Sequence, residues 1–152
     1  PQGVWSGRLR RASQTRSAHA IRLFDHVGER TVVVSHMHGL RDLGGKGDTP
    51  ERLEQAKRFL ALTRQIAVPG DRVVMCGDFN VEPDSATLRL LAEAGMVELV
   101  TGLGFEGTRT SSYKKPGKFA DYMLVDDPTA VKSFDVVRSP EVSDHCPLIV
   151  EV

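Results

Sequence analysis

The sequence predicts a mixed α/β fold with one sheet that has both parallel and antiparallel neighbours. Helix patterns alternate with β-branched segments in the first half, whereas strand patterns predominate after Phe119. The 152 residues are 40% hydrophobic and 26% charged, as in soluble globular proteins. Because no internal repeat or low-complexity linker interrupts them, we expect one domain over residues 1–152.

The first two predicted strands form a hairpin. Residues 17–25 alternate imperfectly between apolar and polar, and residues 26–30, with Gly28, are typical of a turn. Residues 31–35 are a β-branched run, which indicates a strand buried on both faces. This strand should place His36 at its carboxyl end.

A helix is predicted to begin at residues 48–51, Asp-Thr-Pro-Glu, which combine a candidate N-cap with a glutamate three positions on. Apolar residues then recur at helical spacing, which predicts one packed and one solvent-exposed face. The packed face should hold Leu53, Ala56, Leu60 and Thr63, and the exposed face Arg52, Glu54, Lys57 and Arg58. Pro69 and Gly70 should end this helix.

The remaining elements follow at short intervals. Residues 72–76 form a predicted strand, and residues 85–94 a short helix closed by Gly95. Three further strands are predicted at residues 120–125, 133–137 and 147–152.

Charge and composition bound the classes of function. Lys and Arg number 20, as do Asp and Glu, so no global field would gather nucleic acid or a membrane surface, and no apolar run is long enough to span a membrane. Two thiols do not make a disulfide framework, which favours a reducing compartment and a cytoplasmic location. The chain opens with Pro1 rather than Met, so we expect the true N-terminus to lie upstream, and a signal peptide stays open. Local basic clusters, which solvated surface charge explains equally well, are Arg8, Arg10, Arg11 and Arg16, and Lys114, Lys115 and Lys118.

Polar residues follow the strand at residues 72–76, in the motif Gly77-Asp78-Phe79-Asn80. In extended geometry Asp78 and Asn80 point the same way and Phe79 turns into the core. Carboxyl ends of strands build ligand sites in α/β sheets, and Gly77 lets the backbone approach a ligand. A strand-ending turn explains the same four residues equally well.

Three further residues could serve the same site. Asp121 begins an apolar strand, where a carboxylate is costly unless it has a partner such as a histidine. Asp144 and His145 are adjacent before the last strand, and they suit a hard cation and proton transfer respectively. Taken singly, these residues also fit a strand edge and a surface loop.

His36 and His38 are two apart on one strand and share a face, which would suit a zinc pair. No convincing third and fourth nitrogen or sulfur ligand follows them, and the carboxylates and amide elsewhere match hard cations better. We therefore prefer His36 as a hydrogen-bonding catalytic residue, with a zinc hydrolase using His36 and His38 as the alternative.

Taken together, four motifs resemble the endonuclease/exonuclease/phosphatase family in order and spacing. They are Ser35-His36-Met37-His38, Gly77-Asp78-Phe79-Asn80, Asp121-Tyr122 and Ser143-Asp144-His145. The resemblance spans the chain from about Ser17 to Val152. It implies the C-terminal part of a four-layer α/β sandwich, in which two mixed β-sheets are flanked by helices.

The resemblance implies roles for the residues near the phosphate. His36 resembles a histidine that contacts the scissile phosphate, Asp78 the acid that activates the nucleophile, and Asn80 an amide that orients the phosphate.

It also implies a metal ligand and an oriented histidine. Asp144 resembles the metal ligand, His145 the catalytic histidine and Asp121 its orienting carboxylate. Thr110 resembles a supporting polar position. The family's first metal ligands, an Asn and a Glu, belong to an N-terminal segment without a counterpart in these residues.

The expected function is therefore magnesium-dependent hydrolysis of phosphoester bonds by an activated water, with Mn²⁺ as an alternative ion. The expected partner is a phosphoester substrate, either nucleic acid or a small phosphorylated molecule. A binding module without turnover is the alternative from another class. The motifs leave open the substrate and whether His145 or Asp78 is the base, and this chain alone should hydrolyse poorly because the Asn and Glu ligands are missing.

Overall fold

The structure is a computed structural model that describes residues 16–152. The strands in this part of the chain are β1 (Ala18–Asp25), β2 (Arg30–His38), β3 (Arg72–Asp78), β4 (Val97–Glu98), β5 (Asp121–Val125), β6 (Ser133–Val136) and β7 (Leu148–Glu151). The helices are α1 (Pro50–Ile66) and α2 (Ala86–Glu93), and a single 3-10 turn follows β5 at Pro128–Ala130.

The strands form two sheets. Five strands lie in the order β1-β2-β3-β5-β4, in which β2 and β3 are parallel and all other neighbours are antiparallel. Strands β6 and β7 form a separate antiparallel ribbon. The prediction of a mixed α/β fold, and of a sheet with both kinds of neighbour, is thus confirmed.

Apolar side chains alternate between the two faces of the five-stranded sheet, as the two-residue period of a strand requires. Met75 and Leu124 pack with Phe59 of α1 and Leu91 of α2 on one face. The other face, which includes Val74 and Met123 among others, packs against the β6–β7 ribbon. The sheet is therefore covered by helices on one side and by the ribbon on the other.

The α1 helix begins where the sequence predicts. Thr49 is its N-cap and accepts a hydrogen bond from the Arg52 backbone N at 3.2 Å, and Pro50 stands at the first helical position. The helix ends slightly before the predicted stop at Pro69, since its last residue is Ile66 and its C-cap is Ala67.

The prediction that Arg52 lies on the exposed face of α1 is wrong. Its side chain is buried, since its guanidinium donates to the carbonyl oxygens of Leu40 at 3.1 Å and Gly45 at 2.8 Å and also contacts the carbonyl of Gly47. These acceptors belong to the loop between β2 and α1. Arg52 therefore holds that loop against the helix, and a helical pattern does not contain this information.

Gly77 has a role in the sheet that the sequence analysis did not predict. A Cβ at this position would collide with the carbonyl oxygen of Met37 on the neighbouring strand, and the Gly77 φ of 134° is unfavourable for other residues. Gly77 thus permits close approach of β2 to β3.

Neither helix among residues 16–152 is long and apolar enough to cross a membrane. Cys76 and Cys146 are free thiols, and burial raises the pKa of each.

Candidate active site

Three polar side chains lie side by side in one row on the three central strands of the five-stranded sheet, β2, β3 and β5. His38 is the register partner of Asp78, and Asp78 is in turn the register partner of Asp121. Paired residues share a face, so all three belong to the face that carries the ribbon. The row stands at the carboxyl ends of β2 and β3 and at the start of β5, at one edge of the packed core.

His145 completes this row from the segment before β7. Its Nδ1 atom lies 2.9 Å and 2.8 Å from the two carboxylate oxygens of Asp121, and its Nε2 atom is 3.9 Å from Asp78 Oδ2. The contact that the sequence suggested between Asp121 and a histidine is present. Burial is the largest cause that raises the pKa of Asp121, and the His145 ring and Arg109 partly oppose it.

Arg109 determines which nitrogen of His145 carries the proton. The segments that hold these two residues form an isolated antiparallel bridge, and Arg109 Nη1 contacts His145 Nε2. A guanidinium can only donate hydrogen bonds, so Nε2 must accept. The proton of the neutral ring is therefore on Nδ1, where it is donated to Asp121.

Two threonines flank Arg109 and hold the surrounding loops. The Thr108 hydroxyl accepts hydrogen bonds from the backbone N atoms of Ala120 and Asp121, both at 3.1 Å. The Thr110 hydroxyl donates to the Ser143 carbonyl at 2.7 Å. Thr108 thus positions the start of β5, and Thr110, which the sequence analysis noted as a supporting position, positions the segment before His145.

Asp78 and Asn80 line one cavity of about 440 Å³, and Phe79 between them is buried in the core as predicted. Strand β3 nevertheless ends at Asp78, and Asn80 has a left-handed φ of 54°. The turn is held by Asn80 N, which donates to Asp78 Oδ1 at 3.0 Å, and by Asn80 Nδ2, which donates to the Gly39 carbonyl at 3.2 Å. A turn, rather than extended geometry, therefore brings the carboxylate and the amide together.

Asp144 lines the same cavity, and its side chain is 49% exposed. Its Oδ2 atom accepts a hydrogen bond from Arg109 Nη1 at 3.0 Å, and its Oδ1 atom is 4.0 Å from His145 Nε2. His36 lies elsewhere: it is exposed and belongs to the next row of the sheet, beside Cys76. The structure therefore groups Asp144 with Asp78, Asn80, Asp121 and His145, and places His36 one row away.

A group able to hold a metal ion occurs within the described part of the chain. Ligand atoms of Asp78, Asp121 and His145 all lie within 4.8 Å of one another. Two carboxylates directly opposite each other on neighbouring strands repel, and a divalent cation relieves this repulsion. Neither His36 nor His38 belongs to this group.

Sequence reasoning missed two residues of this site, Arg109 and Thr108, and it considered His38 only as half of a zinc pair with His36. His38 Nε2 is 3.7 Å from Asp78 Oδ2, and burial and Arg16 lower the pKa of His38. The available signal for Arg109 was its place between two threonines. In an extended segment Thr108 and Thr110 point to one side and Arg109 points to the other. No local signal marks Thr108.

Basic residues surround the cavity. Arg16, Arg41, Lys114 and Lys115 line it together with Arg109. Lys114 and Lys115 belong to the loop cluster noted from the sequence. Of the other cluster, Arg8, Arg10 and Arg11 lie outside the described residues. The lining of the cavity thus combines carboxylates with several cations, which suits an anion bound next to a metal ion.

Comparisons with known proteins identify the family. The model of the endonuclease/exonuclease/phosphatase family matches residues 10–145. No curated protein has a significantly similar sequence.

Similar folds occur among solved structures. A mannosyl-6-phosphatase from Bacteroides thetaiotaomicron is 17% identical, with a TM-score of 0.69 over 90% of this chain and 56% of that one. An AP endonuclease from Archaeoglobus fulgidus is 15% identical, with a TM-score of 0.60 over 90% of this chain and 72% of that one. A D. rerio TDP2 complexed with a single-strand DNA product is 17% identical, with a TM-score of 0.61 over 89% of this chain and 60% of that one.

The chain spans about 55% of the length of the first structures it matches. The family model covers most of residues 1–152. The matched range includes every motif that carried the resemblance. This chain belongs to the endonuclease/exonuclease/phosphatase family.

Proposed function

We propose that the protein hydrolyses phosphoester bonds with a magnesium-dependent, activated water. The observation that carries this proposal is the cluster of Asp78, Asp121 and His145, with Asp144 and Asn80 in the same cavity. The cluster contains the paired Asp121 and His145 and a second carboxylate, Asp78, that could accept a proton. Cationic side chains line the cavity beside it. These are the parts that phosphoester hydrolysis requires.

Each side chain of the site has a distinct role in the proposed reaction. Asp78 takes the proton of the attacking water, and Asn80 orients the phosphate from the turn that follows. His145, held by Asp121, acts in its cationic form, in which Nε2 also carries a proton and can donate it, and stabilises negative charge that develops on the phosphate or leaving oxygen. His36 would contact the phosphate only from the next row of the sheet, so we give it a supporting role at the rim.

The donor set fits a hard divalent cation. Asp144, which lines the cavity, would hold magnesium in part, because oxygen ligands are what magnesium prefers. When bound, the ion would polarise the phosphoryl group and the leaving oxygen. Mn²⁺ would serve in its place.

The substrate would be a nucleic acid or a small phosphorylated molecule. The family neighbours include a phosphatase and an AP endonuclease, and both classes fit a cavity lined by cations. The test is hydrolysis by the full-length protein of a generic phosphomonoester, a generic phosphodiester and DNA, with EDTA and then magnesium added. Metal-dependent turnover of at least one supports the proposal, whereas phosphate binding without any turnover would instead favour a binding module.

Asp144→Ala should weaken magnesium binding at least about tenfold and remove activity, since even outer partners of metal ligands contribute that much. The fold should survive, because this side chain is half exposed. Calorimetric titration of magnesium into the variant measures the loss. The control is Asp135→Ala, which removes an exposed carboxylate on β6, and equal affinity in the two variants would reject Asp144 as a ligand.

We further propose that residues 1–152 are the C-terminal part of a four-layer sandwich whose remaining layers lie upstream. Ile21, Leu23 and Phe24 of the edge strand β1 are each about half exposed. Exposed apolar side chains on a sheet edge favour association. The 152-residue chain alone should therefore be inactive and oligomeric in light scattering, and addition of upstream sequence should yield an active monomer. An active monomer of the 152 residues would contradict this architecture.

A further inference from the structure

Arg109 is a charged side chain buried inside the candidate active site. Its side chain is 8% exposed, and Nη1 donates to Asp144 Oδ2 at 3.0 Å and to His145 Nε2. The guanidinium carbon lies 4.3 Å from the centre of the Tyr113 ring, in a cation–π contact. Burial of a cation is unfavourable unless the cation is well paired.

The pairing of this guanidinium is incomplete. Its Nε atom is buried and has no hydrogen-bond partner among residues 16–152. The ion-pair partner of Arg109 in that range is Asp144, which is half exposed. The other acceptor is Nε2 of the neutral His145 ring, which takes a single hydrogen bond. Arg109 thus keeps donor capacity that an anion in the cavity could use.

The two groups that Arg109 contacts are those the proposed reaction needs. Asp144 would hold the cation, and His145 Nε2 would face the phosphate. If Asp144 binds a metal ion, the buried guanidinium loses its carboxylate partner and lies next to another positive charge. A phosphoryl group would replace the lost carboxylate and offset the neighbouring positive charge. Its oxygens can accept two parallel hydrogen bonds from the planar guanidinium.

We propose that Arg109 is a phosphate-binding residue of this site, which moves its donors from Asp144 and His145 Nε2 to phosphoryl oxygens when substrate binds. This inference rests on the proposed function and deepens it. Arg41, Lys114 and Lys115 line the same cavity and add to the field that attracts the anion. Arg109 differs from them in being buried and in contact with the reactive histidine.

The first test measures binding of inorganic phosphate to the full-length protein in EDTA, by calorimetry. Arg109→Gln should weaken binding at least about tenfold, as expected for the loss of charge-assisted hydrogen bonds. Arg109→Lys should be intermediate, because lysine keeps the charge and lacks the fork. Arg58→Gln is the control, since it removes one exposed positive charge from α1, and it should bind phosphate as the wild type does. Equal phosphate affinity in Arg109→Gln and Arg58→Gln would overturn the proposal.

A second arm replaces phosphate by dimethyl phosphate, which distinguishes a terminal phosphate from a diester. Loss of binding for both probes assigns Arg109 to any phosphoryl group, loss for phosphate alone assigns it to a terminal one, and loss for neither overturns the proposal. These readouts need no turnover. Hydrolysis could therefore fail while Arg109-dependent binding holds, or the reverse.

A third measurement uses the wild-type protein, so a folding defect in a variant does not affect it. Nitrogen NMR of the His145 ring should show the proton on Nδ1 without phosphate, and the Nε2 resonance should shift as phosphate saturates the site. An Nε2 resonance that does not respond to saturating phosphate would show that Arg109 stays on His145, and the transfer of donors would be wrong.

Discussion

Asp121→Asn should lower kcat by between about 10² and 10⁴ and leave KM within a few fold, since loss of an orienting aspartate in a serine protease triad has an effect of this order. The asparagine would fill the same space, and the Thr108 hydroxyl would still accept the hydrogen bond of its backbone N. The amide, however, would no longer favour the tautomer with the proton on Nδ1 or stabilise a cationic His145. Steady-state kinetics of the full-length protein measure the two parameters separately.

A structural role of Asp121 predicts a different result. Loss of packing would lower the thermal midpoint and reduce kcat and substrate affinity together, whereas loss of orientation should change kcat and the ring nitrogen spectrum of His145 alone. The control is Asp135→Asn on β6, which is exposed. Turnover of Asp121→Asn within a few fold of the control would show that the contact with His145 does not serve the reaction.

Asp78→Asn should lower kcat by about 10² to 10⁴, the range that a positioned general base contributes. The substitution is isosteric, and the side-chain oxygen that remains can still accept the hydrogen bond of Asn80 N, so the turn after β3 should persist. What is lost is the ability to take a proton from water at a position that His38 and His145 flank at 3.7 Å and 3.9 Å.

Asp84→Asn is the matched control, because Asp84 is exposed in the loop before α2. Kinetics should show a loss in Asp78→Asn that added magnesium does not restore. Full recovery at high magnesium would indicate that Asp78 acts by binding the ion, and the role of base would then pass to His145.

Local patterns were sufficient for most elements of the fold. The run of β-branched residues before His36 predicted β2, and the candidate cap at residues 48–51 predicted the start of α1. Strands β2 and β3 are longer than predicted, because Met37 and Gly77 continue the ladder as register partners. The two-residue strand β4 was missed because pairing with β5 is what defines it.

The sequence by itself determined the family and most of the candidate site residues. Asp78, Asn80, Asp121 and His145 stand in three motifs whose residue types already indicate their chemistry, and these motifs occur in order after the motif that contains His36. The tertiary structure decided which side chains meet. It places His38 rather than His36 beside Asp78, sets Arg109 against His145, and buries Arg52 under a loop. Strand register and hydrogen bonds between distant loops determine these contacts, and neither is encoded in the spacing of residues along one segment.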